Sequence, residues 1–149
     1  MHNRILLTVL TLALITNGAR RLPAGAGPQE VDVVVNKANN IASFPREEVR
    51  RIFLGEKTFW PDGKRITVLM LSRGQPEREL VLREVYKMNE ADYTRYFLQA
   101  AFTGRVQAAP RELLSPAEMK SRLGANPNAI GYLKKGDVDD SFKVLLKMP

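Results

Sequence analysis

The sequence predicts a three-layer α/β sandwich with a mostly parallel sheet, and three observations carry that prediction. β-rich runs alternate with helical ones along the chain, as expected where strands are joined by crossover helices. The run Ile66–Leu71 passes through a four-residue polar loop into a helix that opens on Pro76. Ser115-Pro116-Ala117-Glu118 is a capping box with proline at the first helical position, which fixes another helix start downstream.

In chain order, Val31–Val35 is strongly β-prone and ends in the polar turn Asn36–Asn40. Pro45 opens a helix reaching Leu54, with Val49, Ile52 and Phe53 on one face and Gly55 as its stop. The loop Thr58–Gly63 holds the only tryptophan, Trp60, which reads as an aromatic capping the core. Ile66–Leu71 alternates as a buried strand. Val81, Val85 and Met88 follow at helical spacing. Asn89 is the N-cap of the next helix, whose Tyr93, Tyr96, Phe97, Ala100 and Ala101 form an apolar stripe that Gly104 ends. Arg105–Arg111 reads as a loop, and Gly124 stops the helix that begins at Ser115. Ala129–Leu133 and Phe142–Leu146 read as two strands around the polar turn Lys134–Ser141.

The first 26 residues read as a segment apart from this domain. A positive start (Met1–Arg4), an apolar run (Ile5–Ile15) and the small-x-small triplet Ala24-Gly25-Ala26 match a cleaved secretory signal. The apolar run is shorter than the roughly 20 residues that a membrane span requires. The expectation is therefore a signal peptide over 1–26 and one exported domain over 27–149, with no membrane span in the mature chain and a periplasmic or secreted location. Removing 1–26 takes away Arg4, Arg20 and Arg21 and no acid, so the formal charge falls from +7 to about +4. Much of the basic excess thus belongs to the export segment, and no basic stripe with interleaved aromatics speaks for nucleic acid.

The chemistry open to such a chain is narrow. It has no cysteine, and its one histidine, His2, lies in the export segment. That excludes thiolate metal sites, cysteine nucleophiles and histidine-dependent triads from the mature domain. Glu47 and Glu48 fall in a first helical turn, where acids offset the dipole, and Asp137, Asp139 and Asp140 lack the closing Glu of a calcium loop. The reading is a non-enzyme without metal or cofactor.

The element that points to function is the loop Ser72-Arg73-Gly74-Gln75. A strand feeding a helix N-terminus through a short polar loop directs N–H groups and the helix dipole at one spot. Arg73 adds a charged fork, Ser72 a hydroxyl, and Gly74 lets a ligand approach the backbone. These four residues are the candidate site for an oxyanion. N–H groups converging on an open pocket beside Arg73 would favour capture. A salt bridge from Arg73 to a carboxylate would favour an ordinary loop arginine.

With those segments placed, a resemblance emerges. Val33-Val34-Val35-Asn36, then Ile52–Lys57 and Trp60, and near the end Asn128-Ala129-Ile130-Gly131-Tyr132, resemble the second lobe of phosphate ABC-transporter substrate-binding proteins. These are type 2 periplasmic binding proteins, and the likeness runs from about Val31 to Leu146. It implies one lobe of that fold and phosphate or a similar oxyanion as ligand. The family's loop carries an Arg and a Ser-Gly-Thr, whereas this chain reads Ser72-Arg73-Gly74-Gln75-Pro76-Glu77, with an acid near the incoming anion. The family also closes two lobes over its ligand, and this chain has residues for one. The alternative is therefore a ligand-free interaction module that docks a partner subunit or a second copy, with Phe59 and Trp60 as candidate patch residues.

Overall fold

The computed structural model describes residues 29–149. The export segment read at 1–26 lies outside the described residues, as do Gly27 and Pro28. Five strands form one sheet: β1 (Val31–Asn36), β2 (Thr67–Leu71), β3 (Arg111–Leu113), β4 (Ala129–Lys134) and β5 (Phe142–Met148), in the spatial order β3-β2-β4-β1-β5. β2 lies parallel to β3 and β4, and β1 runs antiparallel to both of its neighbours, β4 and β5. Four strands therefore point one way and β1 alone opposes them. The central position of β1 explains its composition: Val31, Val33, Val34 and Val35 are all fully buried, as a strand covered on both faces requires.

The helices are α1 (Arg46–Phe53), α2 (Pro76–Val81), α3 (Glu90–Phe102) and α4 (Pro116–Ala125). Helix α4 covers one face of the sheet. Met119 and Leu123 pack so tightly on Gly131 of β4 that a Cβ there would sit 2.6 Å from the Met119 sulfur. The remaining helices meet on the other face around Tyr86, whose ring lies edge-on to Phe53 of α1 (5.7 Å) and Tyr93 of α3 (5.1 Å). This makes the three layers.

Most local signals hold. Asn89 Oδ1 accepts from the N–H of Asp92, and Ser115 Oγ from that of Glu118. The Glu118 carboxylate reaches back to the Leu114 N–H, one residue beyond the usual capping-box partner. Gly55 takes a φ of +75° against Val106, a left-handed stop open to glycine.

Three features differ from the sequence reading. The helix from Pro76 does not reach Met88: after Val81 it widens into a π turn (Leu82–Tyr86) and ends at Lys87 with φ +57°. The stretch read as a loop to Arg111 ends in the short strand β3, whose first two residues are exposed and so give no apolar alternation. Gly124, read as the stop of α4, lies inside that helix, which runs on to Ala125. Of the two candidate patch residues, Trp60 is buried, as an aromatic capping the core should be. Its indole N–H donates to the Asn128 carbonyl (3.1 Å) and its ring stacks on Phe44, while Phe59 stays half exposed.

Candidate functional site

β2 and α2 place the four predicted residues together. β2 ends at Leu71, the Ser72 N–H donates to the Leu113 carbonyl of β3 (2.8 Å), and Gly74 turns the chain with φ +85° into Pro76. A side chain at Gly74 would meet nothing within 4 Å, so the loop faces open space. Gln75 reaches toward the Leu114 carbonyl (3.4 Å). Among the described residues, the N–H groups of Gly74 and Gln75 find no protein acceptor.

Arg73 stands at the rim, 65% exposed. Its Nη2 donates to Thr94 Oγ1 (2.7 Å), and its Nε lies 3.4 Å from Glu90 Oε2. The loop thus has an arginine already beside a carboxylate, the feature set out for an ordinary loop arginine, together with two backbone N–H groups that have no protein acceptor among the described residues.

Beneath the loop lies a group the sequence reading did not single out. Arg78 is 1% exposed and holds the loop from below. Its Nη1 donates to the Leu71 carbonyl (2.7 Å) and to Glu112 Oε1 (3.1 Å), its Nη2 donates to Glu90 Oε2 (3.1 Å), and its Nε pairs with the other Glu90 oxygen. The guanidinium also lies over the Tyr93 ring at 4.9 Å. Burial works against its charge, yet the hydrogen bonds and charge of Glu90 outweigh that cost and raise its pKa above the ordinary arginine value. Burial likewise pushes the Tyr93 hydroxyl up to about 12. Glu90 therefore serves two arginines, the buried Arg78 fully and the exposed Arg73 loosely.

Glu77, in the first turn of α2, is 2% exposed and pairs with Lys134 at 3.0 Å. Among the described residues, neither of its oxygens finds a hydrogen-bond donor of normal geometry. Its carboxylate already answers part of the positive potential of the helix start. Arg78 did leave a trace in the sequence: it falls three and seven residues before Val81 and Val85, on the face that α2 turns to the core. Glu90 left none beyond being an acid in a first helical turn.

No family model and no curated protein matches this chain. Solved structures do. A phosphate ABC transporter substrate-binding protein of Clostridium perfringens, with bound phosphate, superposes at a TM-score of 0.61 with 20% identity. An ABC-type phosphate transport receptor from Vibrio cholerae gives 0.54 with 23%, and PstS from Borrelia burgdorferi gives 0.60 with 15%. Each likeness covers 78% of this chain and 44–47% of the receptor. The chain thus has the fold of one lobe of these receptors and spans less than half their length.

Proposed function

We propose that this chain is an exported, non-enzymatic solute-binding-type domain whose Ser72–Gln75 loop takes phosphate or a related small oxyanion. The observation that carries the reading is the loop itself. It has two N–H groups without a protein acceptor among the described residues and the largely exposed side chain of Arg73, at the end of a strand in a receptor-lobe fold. An anion there would draw Arg73 from Glu90 and accept from Gly74 and Gln75. Contact from one side only, with a carboxylate competing for the arginine, implies weak binding, on the order of millimolar or about 4 kcal/mol.

The test is thermal unfolding of residues 27–149 with phosphate, with sulfate and chloride as controls. At a hundredfold excess over the dissociation constant, ligand adds about 2.7 kcal/mol. For a domain of this size that raises Tm by on the order of 10 °C. A phosphate-specific rise that Arg73→Ala abolishes supports the reading. An unchanged rise in Arg73→Ala removes this loop as the site.

A second reading rests on a different observation. Leu114 is 78% exposed next to the loop, at the end of β3. With Arg73 held by Glu90, that surface suits a ligand-free module that docks a second copy or a partner subunit. No shift with any oxyanion, together with concentration-dependent self-association that Leu114→Ser removes, would favour it.

A further inference from the structure

An opening at the other end of β2 stands apart from the loop. Where β2 and β3 begin, the C-terminal end of α1, Phe97 of α3 and the 106–111 segment enclose a cavity of about 260 Å³. That is just below the roughly 300 Å³ at which small-molecule pockets begin. Its inner wall is apolar, built from Phe53, Phe97 and Val106 among others. Its charged lining residues are Lys57, Arg65 and Arg111, and none is acidic.

The charges there are unequal in availability. Lys57 is answered by Glu48 at 2.7 Å. Arg65 and Arg111 have no carboxylate within ion-pair distance among the described residues. Arg65 Nη2 donates to the Gln107 side chain, a neutral acceptor that also lines the cavity. An apolar recess with arginines whose charge nothing opposes matches an amphiphilic anion.

We propose that this cavity is a binding site for a small organic anion with an apolar body, an aromatic monocarboxylate being the simplest form. The ring occupies the space against Val68, Ala108 and Pro110, with the buried Phe53 and Phe97 behind it, and the carboxylate meets Arg65, with Arg111 supplying further positive charge. The site is independent of the Ser72–Gln75 loop, which lies at the other end of β2.

The probe is benzoate, with benzyl alcohol as its uncharged counterpart and inorganic phosphate as its headless one, followed by amide chemical shifts of the folded chain. Saturable benzoate shifts confined to the 106–111 segment and the start of β2 are expected. The affinity should fall about tenfold in Arg65→Ala/Arg111→Ala, given the strength of charged hydrogen bonds. Both arginines are exposed, so the variant keeps its fold, and Arg95→Ala serves as a control for general loss of positive charge. Benzoate shifts confined to Ser72–Gln75, no saturation, or equal affinity in the double variant would each overturn the proposal. Phosphate shifts at Ser72–Gln75 would bear on the loop alone and leave this site standing.

Discussion

Arg78→Met should be the most costly single change to a charged side chain in this domain. The substitution keeps much of the apolar stem and removes the guanidinium, which is 1% exposed and bonded to the Leu71 carbonyl and to two glutamates. Breaking a fully buried ion pair by removing one partner typically costs about 3 to 5 kcal/mol. Glu90 and Glu112 retain 35% and 53% of their side-chain exposure, so water recovers part of that loss. The Leu71 carbonyl does not recover so easily, and an orphaned buried acceptor costs about 1 to 3 kcal/mol. The net expectation is a loss of about 3 kcal/mol, or on the order of 10 °C in Tm. Equilibrium urea unfolding of the wild type, Arg78→Met, Glu90→Gln and the double variant measures it. The double variant should lose less than the sum of the singles, because each single strands the other's charge or hydrogen bonds. A loss below about 1 kcal/mol in Arg78→Met, with additive behaviour, would refute the claim that this arginine ties β2 to α3.

Three further outcomes follow from other contacts. Glu90→Gln frees Arg73 of its nearby charge, so phosphate should raise the variant's Tm, relative to its own baseline, more than it raises the wild type's. Tyr86→Phe removes a buried hydroxyl that, among the described residues, has at most the Tyr93 hydroxyl beside it, so stability should change by no more than about 1 kcal/mol in the same urea assay. Asp139 is held down to about 2 by hydrogen bonds from Lys120 and Ser141. Its contribution is present above the ordinary 3.8 and is lost as pH falls through about 2, so Asp139→Asn should flatten the fall in unfolding midpoint across that window.

The candidate loop was legible because its signals are local. Strand alternation, a polar break and proline at a first helical position all lie within a dozen residues, and each acts through backbone geometry that neighbouring residues set. Which arginine the loop would use was not legible in the same way. Arg73 and Arg78 are both short-range neighbours of the break, and only the orientation of α2 against the sheet makes one a rim residue and the other a buried anchor. The glutamates that decide the matter come from 12 and 34 residues away. No periodicity within α2 could announce them.

The sequence by itself determined the three-layer class, the helix caps, the glycine stops at Gly55 and Gly104 and the position of the strand-to-helix loop. Those depend on dihedral preferences and on burial patterns that repeat within one element. The tertiary structure alone decided that β1 sits inside the sheet and opposes its neighbours, and that three residues from Arg111 pair as a strand. It alone decided that Trp60 pairs with the Asn128 carbonyl and that Glu90 is shared between two arginines. Each of these is settled by partners distant in sequence, through hydrogen bonds and charge pairing that exist only once the layers have closed.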